Sequence, residues 1–541
     1  VTPVLASLRD DLAELLAALD VADEGARGRV AQVIAAGNRG SAMLPAKHGG
    51  AAAAYQLARA GRRVLLLEKG LELPRDGTTL DVDKVIRQGL FKSKEHWLDK
   101  NGATFAPEEY FNLGGKTKWY GAALVRFEPH EFAADPAHQC LPWPIAYGDL
   151  APYYDQAEAL LGVHRFEPEP DLSAIVGKLT GNGAGWNAQP LMLALDPEIL
   201  AHPEEAAHFD AFASVRNLKF DSQHALLEQV QTLPNLTILT GRAVRDFIAD
   251  PERPERLLGV RTKDGGEFRA AAVLLAAGAL HSPRLLQSYL ASNGLAERLP
   301  CARAVGRNYK HHRLSAMLAF SATPKTDLLR KTLLLLNERL PHSSIQPLGF
   351  DGELLSTLIP GFVPRWFARV LGHRAYGFFL QTEDGSDPAN RVIAQTNGAQ
   401  YPQLDYDPAR LPTAVAEHRQ LVRDFGRSLL KIGLPAAAKT IPLAGTAHAC
   451  GSLTMGADPQ SSVVDAEGKV HGLDNLYVVD GSVLPRSSRA NPSLTIYAWA
   501  LRVAERLQQQ ERATCAARRI SSASGGLSEA ISIRLNGVSG G

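Results

Sequence analysis

Cysteine is scarce in this chain: four among 541 residues, at Cys140, Cys301, Cys450 and Cys515. They are too few and too scattered for a disulfide framework or a CxxC metal site, so neither class applies, and no metal site is expected. A reducing cytoplasm fits, with periplasmic export left open. An excess of charge of either sign is also missing. The 58 Lys and Arg residues face 57 Asp and Glu, for a net charge of +1, and no basic patch interleaved with aromatics stands out. Nucleic acid is therefore not an expected partner. No apolar run reaches the length of a membrane span. The first residues, VTPVLASLRDDLAELLAALDVADEG, carry acids within their apolar pattern, unlike a secretory leader. They read as an amphipathic helix over 1–29, with Leu12, Leu15, Leu16 and Leu19 on one face. No internal repeat is evident.

At 541 residues the chain exceeds one ordinary core, which implies two domains or one large domain with a second embedded in it. The segment GGAAAAYQLARAGRRVLLLEKG, Gly49 to Gly70, is a sharp structural signal. Gly49 and Gly50 lead into an alanine-rich helix that closes at Gly61, where a left-handed backbone suits glycine. Arg63 to Leu67 then reads as a buried parallel strand ending at Glu68. Helix, strand and carboxylate form the second half of a dinucleotide-binding βαβ unit, in which the acid meets a ribose. The first half departs from the pattern. A GxGxxG ending at Gly50 needs glycines at positions 45 and 47, and the chain has Pro45 and Lys47. The strand-like run Val30 to Ala36 is followed by GNRG and then by SAMLPAKH, which reads as an insertion or a scrambled loop.

Further on, Asn112 to Ala122 is a glycine-rich loop able to approach a flat ligand closely. The run Ala271 to Ala277 reads as a strand turning through Gly278 into a helix, a second cofactor-facing crevice of the same topology. Another strand is expected over Asn235–Ile238. Residues 311–444 are more loosely patterned and look like a separate substrate-side region. The tail over 513–541 is poor in core pattern and reads as disordered.

The stretch from His448 to Ile496 carries the most information. A histidine opens it, a short apolar strand runs into Asp480-Gly481, and Asn491-Pro492 stands before a helix. A base, an amide and a strand-end carboxylate share one frame. This suits a buried histidine that removes a proton beside a bound cofactor.

The stretch resembles the glucose–methanol–choline (GMC) oxidoreductase family of flavoproteins. Its pieces are His448 to Gly456, Val463-Val464-Asp465, Asn475 to Ser482 and Asn491 to Thr495. The Gly49–Gly70 unit, the LGGKTKWYGAAL loop, the AGALHSPRLL turn and Asn390-Arg391-Val392 follow the family's order, so the resemblance covers roughly residues 49–510. It implies an α/β fold, a Rossmann-like FAD-binding domain with an inserted α+β substrate domain. The FAD domain would comprise 30–135, 220–310 and 445–512, and the substrate region 136–219 and 311–444. It implies oxidation of an alcohol or sugar CH–OH group by hydride transfer to flavin, with His448 as base and Asn491 as its partner. The cofactor-binding positions it implies are Gly49, Gly50, Glu68, Gly114, Gly115, Thr117, Val244, Ala277, Gly278, Asp480, Gly481, Pro492 and Thr495. Of these, Glu68 would bind the adenosine ribose, Val244 the adenine side, and Asp480 and Gly481 the ribityl or pyrophosphate region. The Leu113–Ala122 loop has no histidine for covalent attachment, so the FAD is expected to be non-covalent. The electron acceptor stays open among oxygen, a quinone and a cytochrome. Most members have Arg where this chain has Thr454. The altered phosphate loop keeps a second reading alive, an impaired or flavin-free homologue. A nicotinamide enzyme on the same βαβ unit would not need the His448…Asn491-Pro492 element.

Plainer readings stand beside these. Glu68 also fits a solvated strand end, and Asn491-Pro492 also fits a helix cap followed by the first helical position. Cys450 reads as a small packing residue. His311 and His312, adjacent in KHHR, do not converge on one metal and read as surface or packing residues. His281 reads as cofactor or backbone packing. Arg365-Trp366 suits a pocket wall or a surface pair.

Overall fold

In the computed structural model, residues 42–44, 48–394, 400–445 and 448–512 are described. The helix expected over 1–29, the strand expected over 30–36, Pro45 and Lys47, and the tail over 513–541 lie outside them. The organising element is a five-stranded parallel sheet: β1 (Ala42–Leu44), β2 (Val64–Leu67), β3 (Leu236–Leu239), β4 (Ala272–Leu275) and β5 (Leu476–Val478), in the order β5-β4-β1-β2-β3. The alanine–methionine–leucine run that reads as an insertion is itself the central strand. Met43 pairs with Leu65 on one side and with Val273 on the other. β2 and β4 are buried along their whole length, because both faces of a parallel sheet are covered, and that is why they read as unbroken apolar runs. The strands expected over Asn235–Ile238 and Ala271–Ala277 appear as β3 and β4.

Helix α1 (His48–Arg59) follows β1 and buries Ala51 to Ala54 and Leu57. Small side chains let its axis lie close to the sheet. A Cβ on Gly49 would overlap the carbonyl oxygen of Val479 and stand 2.7 Å from its carbonyl carbon, so only glycine permits this approach. The helix ends as expected at Gly61, with φ +77°.

The chain leaves β1 toward β2 and β3 on one side, and later builds β4 and β5 on the other. The order reverses at β1, which opens a crevice beyond the carboxyl ends of the strands. Glu68, Ala277, Gly278, Asp480 and Gly481 all lie just past those ends.

Residues 311–444, loosely patterned in sequence, are largely one antiparallel sheet. Its order is Ala436–Thr440, Arg313–Phe320, Ala375–Thr382, Ser343–Pro347, Leu333–Asn337 and Trp186–Pro190. Leu333–Asn337 and Ser343–Pro347 are buried at every position, so the alternation that marks a half-exposed strand is absent. The helix Pro412–Lys431 packs on this sheet through Leu421, Phe425 and Leu429. No helix among the described residues is long and apolar enough to cross a membrane.

Candidate active site

A cavity of about 370 Å³ opens at the carboxyl ends of β2 and β4, lined in part by Glu68, Val244, Ala277, His281 and Arg284. Sequence reasoning placed Glu68, Val244 and Ala277 at one cofactor, and the fold brings them to one wall. Glu68 is only 2% exposed, which removes the reading of a solvated strand-end charge. Its Oε1 accepts from the backbone N–H of Gly70 at 2.8 Å. His281 meets Trp97 and Phe111 edge-on beside the same cavity.

A second group of expected residues forms a clamp. Asp480 Oδ2 accepts from Gly278 N at 2.8 Å and from Ser282 Oγ at 2.5 Å. Its Oδ1 accepts from Ser482 N at 2.8 Å and from Ser482 Oγ. The four acceptor sites of a carboxylate are thereby filled, so the turn backbone, and not this side chain, is left to meet a ligand. Gly278 has φ +86°, a turn that glycine makes without strain. In the glycine-rich loop, Gly114 and Gly115 have φ +87° and +58°. Thr117 Oγ1 donates to Gly114 O at 2.6 Å and accepts from Ser222 N at 2.9 Å, so its hydroxyl holds the loop's shape. Thr495 is hydrogen-bonded to the Tyr154 hydroxyl at 2.8 Å.

The third group surrounds His448. Its Nδ1 lies 2.6 Å from Nδ1 of His312, with the two rings at 90°. The Nε2 of His312 lies 2.6 Å from the backbone oxygen of Ser488. His448 and Ser488 are both left-handed without being glycine, at φ +61° and +64°. Burial, then the nearby His312, Lys331, Lys116 and His48, holds the His448 pKa well below the ordinary histidine range. Burial likewise pushes His312 down to about 4. Three residues beyond Ser488, Asn491 Oδ1 accepts from Gln346 Nε2. This leaves the Asn491 amide hydrogens to point elsewhere, with the amide orientations assigned from the bonding pattern. Gln346 Oε1 is buried with no hydrogen-bond partner among the described residues. The helix over 493–512 begins one residue later than the cap reading of Asn491 requires, and Ile496 N donates to Pro492 O at 2.9 Å. Pro492 is therefore the residue that caps it.

Two members of this group were missed in the sequence. His312 is fully buried against His448, where a surface or packing role was expected. Its signal, a vicinal pair before the strand Arg313–Phe320, says nothing of a partner 136 residues away. Gln346 stands in a fully buried strand with no local mark. His311 is also buried, and burial pushes it down to about 3. Cys450 is fully buried, and its thiol is pushed up to about 12, which suits packing and not nucleophilic attack. Trp366 is 71% exposed and lies on the surface, not in a pocket wall.

Two sets of side chains have metal-like spacing: His138, His342 and Glu417, and Cys140, His342 and Glu383. The His138 and His342 rings stack at 3.7 Å with an interplanar angle of 10°, so their in-plane lone pairs do not converge on one ion. Both Glu383 oxygens are engaged by Arg486, at 2.9 and 2.6 Å.

The donor set suits a dinucleotide. A buried acid past β2, a cavity flanked by Val244 and Ala277, and a helix start where a Cβ would collide all fit the adenosine half of FAD. Models of the GMC oxidoreductase family match residues 89–314 and 388–500. The chain is 29% identical over 511 residues to 6'''-hydroxyparomomycin C oxidase of Streptomyces lividus, covering 84% of this chain and 88% of that protein. It is 27% identical to paromamine 6'-oxidase of Streptomyces fradiae, covering 84% and 88%. It is 23% identical to 2-methyl-1,2-propanediol dehydrogenase of Mycolicibacterium austroafricanum, covering 85% and 94%. A formate oxidase structure from Aspergillus oryzae RIB40 shares the fold at a TM-score of 0.66 and 15% identity, covering 88% of this chain and 99% of that one.

Proposed function

The chain belongs to the GMC oxidoreductase family, whose members bind FAD, and on that premise we propose that it oxidises the CH–OH group of a small alcohol or sugar with His448 as base. The single observation that carries this is a half-buried imidazole whose Nδ1 is held 2.6 Å from His312 Nδ1 and whose pKa desolvation keeps well below its ordinary range. Such a histidine is unprotonated at neutral pH and able to take the hydroxyl proton. Bound flavin supplies the hydride acceptor.

This chain's residues do the rest. Gln346 holds the Asn491 oxygen and leaves the amide N–H groups to donate to the substrate oxygen and fix its distance from His448. Asn491 is buried and His448 half-buried, which limits access of water, so the proton passes to the imidazole. Glu68, the Val244 backbone and the Gly278 and Gly481 turns would hold the dinucleotide. The Leu113–Ala122 loop offers no histidine, so the FAD is non-covalent. The relatives named for paromamine and 2-methyl-1,2-propanediol carry hydroxyl substrates, in keeping with this class. Three described cysteines are free and buried, which accords with a reducing, cytoplasmic compartment.

The test is the visible spectrum of the purified protein, followed by anaerobic bleaching with a panel of alcohols and sugars and reoxidation by oxygen, a quinone or a cytochrome. A flavin band bleached by at least one alcohol, and unbleached in His448→Ala with FAD still bound, is expected. A folded, colourless protein that takes up no added FAD, or full bleaching in His448→Ala, overturns the proposal.

A further inference from the structure

Two histidines that touch each other through the same ring nitrogen pose a question of hydrogens. One Nδ1 must donate and the other accept, and the choice decides which nitrogen of His448 is bare. We propose that His312 is a positioning residue that locks His448 in the tautomer with hydrogen on Nδ1 and a free lone pair on Nε2. The proposal rests on the reading of His448 as the base.

A backbone carbonyl can only accept. The Ser488 oxygen lies 2.6 Å from His312 Nε2, so that nitrogen carries hydrogen. His312 is buried and neutral at neutral pH, so its Nδ1 carries a lone pair. His448 Nδ1, at 2.6 Å, must then donate to it. Neutral His448 has one ring hydrogen, now placed on Nδ1, and its Nε2 is left bare. With hydrogen on Nε2 instead, His448 would face His312 lone pair to lone pair and could not accept a substrate proton at that atom. The same bond holds the ring's orientation, and it strengthens when His448 becomes cationic, because a charged donor binds the same acceptor more tightly.

The anchor of this chain is rigid. Ser488 is in the left-handed region at φ +64°, a strained state for a residue with a side chain. It is held there from three sides. Its N–H donates to Glu383 Oε1 at 2.9 Å, its hydroxyl donates to Glu131 Oε1 at 2.5 Å, and its carbonyl receives His312. Glu383 in turn is gripped by Arg486. The direction of one carbonyl thus fixes hydrogen positions on two rings in series. A neutral imidazole here takes the orienting place that a carboxylate fills in a Ser-His-Asp triad, without adding a negative charge beside the base.

The test reads the tautomer directly, by ¹⁵N NMR of protein labelled in the histidine rings, as purified and after loading with FAD. His448→Gln identifies the signals of that ring. We expect a protonated Nδ1 and a bare Nε2 on His448 in the unaltered protein. His312→Asn, which keeps an acceptor oxygen near the Nδ1 position, should preserve that pattern. His312→Phe should move the hydrogen to Nε2 and slow anaerobic bleaching by alcohols about ten- to a hundred-fold at unchanged flavin content, as loss of one buried hydrogen bond predicts. A His448 with hydrogen on Nε2 in the unaltered protein overturns the proposal, as does an unchanged tautomer in His312→Phe. If His312→Phe does not fold, the unaltered protein and His312→Asn decide. Normal bleaching in His448→Gln would strike the base reading and leave the tautomer result standing. Loss in His448→Gln with a normal rate in His312→Phe would strike the positioning role alone.

Discussion

Asp480→Asn is the most informative small change to the clamp between the two turns, because it alters two atoms' chemistry and nothing of the side chain's shape. Each carboxylate oxygen faces one backbone N–H and one hydroxyl: Gly278 N and Ser282 Oγ on one side, Ser482 N and Ser482 Oγ on the other. An amide must turn its NH₂ to one of these sides. The hydroxyl there can rotate and accept, but the backbone N–H cannot, so whichever way the amide flips one buried donor is left facing a donor. An unsatisfied buried donor costs about 1–3 kcal/mol, and the remaining bonds lose their charge assistance, so the total is about 2–4 kcal/mol. For a cooperative unit of 150–250 residues that corresponds to a fall in Tm of about 4–16 °C. Because the clamp joins the Ala277–Ser282 turn to the Asp480–Ser482 turn, flavin release should accompany the unfolding. Thermal scans followed by tryptophan and flavin fluorescence would measure both, with Ser282→Ala as the control expected to cost about 1 kcal/mol. A Tm for Asp480→Asn within a degree of the parent, with FAD retained, would refute the reasoning.

Two further outcomes are expected. Gly49→Ala sets a methyl against the Val479 carbonyl, a backbone group that cannot rotate aside; the helix must lift from the sheet, at about 3 kcal/mol or more, and both urea midpoint and FAD content should fall. Burial pushes His311 and His418 down to about 3 and His312 down to about 4. Below a pH of about 6.5 the unfolded chain therefore binds protons that the folded chain refuses, and stability is lost as pH falls toward those values by about 1.4 kcal/mol per pH unit for each group. His418→Gln can keep partners at Ser315 and Thr382 while removing one such group, so urea unfolding between pH 4.5 and 7 should show a correspondingly shallower slope; an unchanged slope would contradict the assignment.

The elements of the parallel sheet were legible because each is announced by its own residues. Val64 to Leu67 and Ala272 to Leu275 are unbroken apolar runs because both sheet faces are covered, and Gly61 and Gly278 mark turns that only a left-handed backbone closes. β1 was not legible, since the three residues Ala42–Leu44 carry too little pattern to mark a strand. The antiparallel sheet was obscured because its strands share no one pattern: Leu333–Asn337 and Ser343–Pro347 are buried at every position, whereas Ala436–Thr440 is exposed throughout.

His448 and Asn491 could be put forward as candidates from the chain because their neighbours in sequence are also their structural frame. His312 and Gln346 could not, because they reach those residues across separations of 136 and 145 positions. Burial and periodicity act over a few residues and decide which elements form. Which side chains then meet depends on strand register and on how distant loops close over one another, and no local stretch of sequence encodes it.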